Sequence, residues 1–208
     1  MRKRVDDKGF TLLELIIVIA IMAIIIGVLA PQFVKYINKA KIAMDLHTAG
    51  EIASAYNTAI AQNPEVYELF EEWSTPGQHE NLKRYISATS NGVTETYRVV
   101  MVVASENTYW TGTQSEYLNG FYDTMNEELG LNTSRGAKNS SMIPRYKIKR
   151  SGAHPEGGGR VYQTVDRWRI VKRLDNGQIE VWSADGTRFG GWPQYRAWPI
   201  PDDVYSMN

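Results

Sequence analysis

The chain has 208 residues, 23 Lys+Arg against 23 Asp+Glu, and no cysteine. A length of this order suits one medium domain with an appendage, and the missing cysteines exclude a disulfide framework, a cysteine nucleophile and a Cys-bearing zinc cluster. The overall neutrality hides an uneven distribution, with a net charge of −7 over residues 51–144 and +4 over residues 145–208. That split offers self-complementary contacts between copies or a plain solvated surface. Six Trp and twelve Tyr predict a packed core rather than a disordered chain.

Residues 1–9 carry four cations and two anions, and an apolar run follows from Phe10 to Ala30. A helix of about 20 apolar residues is long enough to cross a bilayer. The preceding cations predict a cytoplasmic N-terminus and an outward-facing C-terminal bulk. One carboxylate, Glu14, interrupts the run. An intramembrane acid costs roughly 2.5–3.5 kcal/mol even on the lenient insertion scale, so it calls for a partner. A cleaved secretory signal fits poorly, because the run is long, contains Glu14 and ends at Val28-Leu29-Ala30-Pro31. A plain membrane anchor leaves Glu14 without a role.

Lys8-Gly9-Phe10-Thr11-Leu12-Leu13-Glu14, behind a short basic leader, resembles the prepilin signature of the type IV pilin and pseudopilin superfamily. The close resemblance covers about residues 8–40. It implies cleavage between Gly9 and Phe10 by a membrane prepilin peptidase, and methylation of the new amino group of Phe10. It further implies that Glu14 answers the Phe10 amino group of a neighbouring subunit. A charged amine and a carboxylate in a low-dielectric setting each relieve the other's desolvation.

Gly27 and Pro31 are helix breakers near the end of the apolar run. The bland expectation is a kink; the resemblance implies local unwinding there when subunits pack. Beyond them Ile42, Leu46, Ala49, Ala53, Tyr56 and Ile60 recur at helical spacing. Lys35, Lys39, Lys41, Asp45 and Glu51 are expected mostly on the other faces. A helix is predicted from about Thr11 to Gln62, roughly 75–80 Å long. The domain plan is a leader 1–9, a membrane or filament-core segment 10–30, an amphipathic half 31–62 and a globular head 63–208.

In the head, residues 63–95 read as an irregular connection containing a short helix from Pro64 to about Trp73. A strand is predicted at Tyr97–Ala104, a helix over 114–130 stopped by Gly130, and a short strand at Arg145–Lys149. Val161–Leu174 and Gln178–Trp182 read as strands joined by an Asn176-Gly177 turn, followed by a turn at Asp185-Gly186 and a strand at Thr187–Phe189. The proline- and aromatic-rich tail is expected to lie across the sheet as a strap. The fold class is therefore α+β, a long N-terminal helix packed on an antiparallel sheet.

Trp168, Ile170 and Leu174 alternate with Arg167, Arg169 and Arg173, which predicts one core face and one wet basic face. Cations among aromatics suit single-stranded nucleic acid, but contacts between copies are the favoured use of this face. The resemblance to calcium-stabilised pseudopilins makes Asp185, Asp202 and Asp203 candidate calcium ligands, but they lack the spacing of a calcium loop, and the expectation is no cofactor, with calcium the alternative. His47, His79 and His154 are dispersed; His47 is expected on the surface. His154-Pro155-Glu156-Gly157-Gly158-Gly159 lacks the lysine of a phosphate-binding loop. No catalytic set is found. The resemblance implies a non-enzymatic filament subunit, held in the cytoplasmic membrane as a precursor and then exported into a surface filament. Its implied partners are like subunits, the prepilin peptidase and the assembly platform. A pseudopilin of a secretion or DNA-uptake apparatus is the alternative, and a single-pass anchored binding or enzyme domain the second. The disulfide loop usual in the family is absent.

Overall fold

The computed structural model describes residues 10–66, 85–103, 119–131, 142–146, 165–185 and 193–205. The chain divides into two units, Met1–Ala40 and Lys41–Asn208.

In the first unit the chain enters helix α1, Leu12–Gln62. Residues 10–37 are all exposed. Its large aliphatic side chains, Ile16, Ile19, Leu29 and Val34 among them, are exposed at 48–56%. The helix continues through Gly27 and Pro31. These two breakers are one residue pair of the helical ladder. Pro31 has no N–H to offer the carbonyl of Gly27 four residues earlier, so the ladder lacks that bond.

In the second unit α1 becomes one-sided. Ile42, Ala49, Ile52, Ala53, Tyr56 and Ala59 are buried at helical spacing. The run of alanines keeps this face thin. Against it pack Val165, Trp168, Ile170, Val181 and Ala197 from the sheet, Phe121, Tyr122 and Met125 from a second helix, α2, Asn119–Glu128, and Met142 and Tyr205. The Tyr56 and Phe121 rings meet edge to face at 5.9 Å. Each large apolar side chain buried here contributes about 1.5–3 kcal/mol.

The strands are β1 Tyr85–Ser90, β2 Val93–Val103, β3 Val165–Arg173, β4 Ile179–Asp185 and β5 Pro193–Trp198, with α2 at Asn119–Glu128 between β2 and β3. They form one antiparallel sheet in the order β1-β2-β3-β4-β5. The sheet curls so that β5 also meets β1. The fold is the α+β arrangement expected, an apolar N-terminal helix with an antiparallel sheet.

Several elements differ from expectation. Part of the stretch read as irregular is the hairpin β1–β2, turned by Asn91 and Gly92, both at positive φ (47° and 80°). That is the backbone an Asn-Gly type I′ turn requires. The strand expected from Tyr97 starts at Val93. Arg145 and Tyr146 lie in a turn rather than a strand, and the remainder of that expected strand is outside the described residues. The tail is not only a strap, since Pro193–Trp198 pairs with β4 as an edge strand. The expected stop at Gly130 is present at φ 60°, with Leu131 N–H donating to Asn126 O at 2.8 Å and Gly130 N–H to Glu127 O. Pro64–Val66 is helical, while the rest of that expected helix, the strand at 187–189, the 154–159 loop and the leader lie outside the described residues.

Candidate functional site

Phe10 is exposed and Thr11 stands just outside the helix, with Leu12 its first residue. The Thr11 N–H and hydroxyl both donate to Oε2 of Glu14, at 2.8 and 2.9 Å. The N–H of Glu14 donates back to the Thr11 hydroxyl oxygen at 3.2 Å. This is a reciprocal capping box, Thr-x-x-Glu, which satisfies two helix-end donors at once. The negative carboxylate also suits the positive end of the helix dipole. Glu14 therefore has a job inside its own chain, one that spacing alone could have shown. Both donors reach Oε2. Among the described residues Oε1 accepts no hydrogen bond, and it remains available to an outside cation.

The expected wet basic face is not there. Arg169 is buried, and Arg173 is only 16% exposed. The outer face of the sheet carries a ladder of alternating charge across four adjacent strands: Glu95 on β2, Arg173 on β3, Glu180 on β4 and Arg196 on β5. Arg173 pairs with Glu95 and Asp175, and Glu180 Oε1 lies 3.8 Å from Arg173 Nη1 and 3.3 Å from Arg196 Nη1. Glu180 Oε2 accepts from Trp182 Nε1 at 2.8 Å. Trp182 in turn meets the Tyr97 ring at 5.3 Å, and Tyr97 donates to Glu95 at 3.0 Å. Burial, then the Glu180 charge, pushes the Tyr97 hydroxyl far up, so it stays a neutral donor. Alternation misread this face because both faces of the sheet are covered: Arg169, Val171, Glu180 and Trp182 are as buried as Trp168 and Ile170 opposite. Largely buried cations need compensating carboxylates, and Glu95 and Glu180 supply them to Arg173 and Arg196. Arg167 is half-buried, and Leu174 is exposed beyond the strand end rather than in the core.

Two further carboxylates were not foreseen. Asp45 is buried on α1, and its two oxygens accept the backbone N–H groups of Arg145 and Tyr146, each at 2.8 Å. It pins the turn at 142–146 to the helix. Asp202 is buried too. It accepts from the Ser90 hydroxyl and from the Arg196 N–H at 2.8 Å, while the Asp203 N–H donates to Asn91 Oδ1 at 3.2 Å. The chain end is thereby tied to the β1–β2 turn without a covalent link. Burial raises the Asp202 carboxyl above the ordinary carboxylate range, against the opposing pull of Ser90 and Arg196. Both Asp202 oxygens are committed to protein donors. Among the described residues no cluster of three or more metal-ligating side chains occurs. His47 is exposed, 3.3 Å from Glu51 one turn on.

By length and composition α1 is able to cross a membrane. Residues 4–30 match the family model of the prokaryotic N-terminal methylation motif. Three type IV major fimbrial proteins, FimA of Dichelobacter nodosus, are similar to this chain. Two are 34% identical over 68 and 69 residues, covering 33% of this chain and 44% of the relative. The third is 33% identical over 68 residues, 42% of its length. The chain thus spans under half the length of the curated relatives it matches. No solved structure matches. The N-terminal segment is similar to that of type IV fimbrial proteins, as its motif suggested.

Proposed function

We propose that this chain is the structural subunit of a type IV pilus-like surface filament. A prepilin peptidase cuts between Gly9 and Phe10, the Phe10 amino group is methylated, and subunits stack through α1. The observation that carries this reading is the first unit itself. Every residue from Phe10 to Ile37 is exposed in the single chain, although almost all are apolar. Such a surface is stable only in lipid or among like helices.

Glu14 fits both settings. Its capping box folds the carboxylate onto its own Thr11, which lowers the cost of holding it in the membrane. Oε1 is left to receive the Phe10 amino group of a neighbour during assembly. Gly27 and Pro31 supply the place for the helix to unwind, because the carbonyl of Gly27 has no ladder donor there. The head faces outward, and its partners are further copies of the chain and the membrane assembly platform. Arg169 is buried and Arg173 and Arg196 are paired with carboxylates, which takes away the support for DNA binding on this face.

Glu14→Ala is expected to leave membrane insertion intact and to cut filament yield severely, measured on sheared surface material beside membrane fractions. Unchanged filament yield would remove the role given to this acid. A processed chain that forms no filaments would point instead to a pseudopilin.

A further inference from the structure

From Leu15 to Ala40 the only charged residues are Lys35 and Lys39. They stand four apart in α1, so they share a face, and like charges at this spacing destabilise a helix. Both are exposed, and among the described residues neither side chain makes an ion pair or hydrogen bond. Beside them stand Phe33 and Tyr36, three apart and exposed at 64% and 68%. On the membrane reading above, the 21 residues Phe10–Ala30 span about 31 Å at 1.5 Å each, which matches a hydrocarbon core of about 30 Å. Phe33, Lys35 and Tyr36 then fall roughly 5–9 Å past its edge, within the headgroup layer, and Lys39 about 13 Å past it, within reach of a side chain that bends back. Aromatic rings and snorkelling lysines are the side chains that settle at this depth. A helical cation pair without a carboxylate is relieved by an anionic surface.

We infer that Lys35 and Lys39, with Phe33 and Tyr36, form an interfacial anchor that binds anionic lipid headgroups on the head side of the membrane. It fixes the depth of the precursor before assembly. This inference rests on the membrane placement of Phe10–Ala30 and adds to it a lipid preference that placement alone does not require.

The chain has no cysteine, so Gln32→Cys takes a single donor dye. The full-length labelled chain is reconstituted into phosphatidylcholine vesicles containing phosphatidylglycerol, and energy transfer is compared for acceptor-tagged phosphatidylglycerol and acceptor-tagged phosphatidylcholine. Each lysine near an anionic surface strengthens association about fivefold. A several-fold enrichment of phosphatidylglycerol is expected, weakened by salt, lost in K35Q/K39Q and kept in K35R/K39R. Equal transfer from both lipids, or a preference unchanged in K35Q/K39Q, would overturn the anchor while leaving the membrane placement standing. Transfer from neither lipid would overturn the placement and the anchor together. An unchanged lipid preference with reduced filament yield in K35Q/K39Q would assign the lysines to carboxylates of a neighbouring copy and refute the lipid role.

Discussion

Two buried carboxylates, Asp45 and Asp202, tie distant segments of the chain to one another, and they differ in what they would lose. Asp45 accepts two backbone N–H groups in a buried site. Asp45→Ala leaves both donors unmet, at about 1–3 kcal/mol each. Thermal unfolding of the full chain in detergent, followed by near-ultraviolet circular dichroism, should show a loss of about 2–6 kcal/mol, and roughly half that for Asp45→Asn, which keeps one acceptor. Asp202 behaves differently because burial raises its proton affinity in the folded state. The folded chain then binds more protons than the unfolded one between the ordinary carboxylate value and the raised one, so the contribution of Asp202 to stability grows as pH falls through that window. Asp202→Asn keeps an oxygen for Ser90 or Arg196 and removes the titration. The stability of the wild type relative to this variant should rise on acidification from neutral pH; a flat difference would contradict the assignment. Neither residue was legible as buried. Helical spacing put Asp45 on a wet face, and the backbone that binds its carboxylate comes from a turn a hundred residues away.

Among the elements, α1 was legible almost to its ends, because an apolar run, helical spacing from Ile42 to Ile60 and a proline after Gln62 are local signals. The Asn176-Gly177 hairpin was legible for the same reason. Hairpin β1–β2 carried an equally good Asn-Gly signal, but the polar sequence of β1, Tyr-Ile-Ser-Ala-Thr-Ser, hid the strand beside it. Strand β5 begins at a proline, which suits an edge strand and argues against reading a strand at all. The charge ladder was hidden by the assumption that one face of the sheet is wet. Within α1, Gly27 gives a clean test. Nothing lies within 4 Å of a Cβ added there, and its backbone is helical. Gly27→Ala should therefore raise helix stability by about 1 kcal/mol, seen as higher helicity of the full chain in detergent. If local unwinding at Gly27 is part of packing, the same substitution lowers filament yield. Unchanged yield would mean the helix passes through assembly intact.

For the whole molecule, the motif at residues 4–30 and the exposed apolar helix point the same way, and the sheet unit supplies a stable head. Without disulfides, the head is held by a partly buried charge ladder, a helix-bound turn and the tie of Asp202 and Asp203 to the β1–β2 turn. The central claim is that this chain is cut at Gly9 and built into a filament. It is tested most directly by shearing filaments from cells that make the protein and determining the N-terminus of the filament subunit by mass spectrometry, beside electron microscopy of the same material. The account predicts filaments composed of a chain that starts at a methylated Phe10. A chain that still begins at Met1, or filaments that lack this chain, would contradict it.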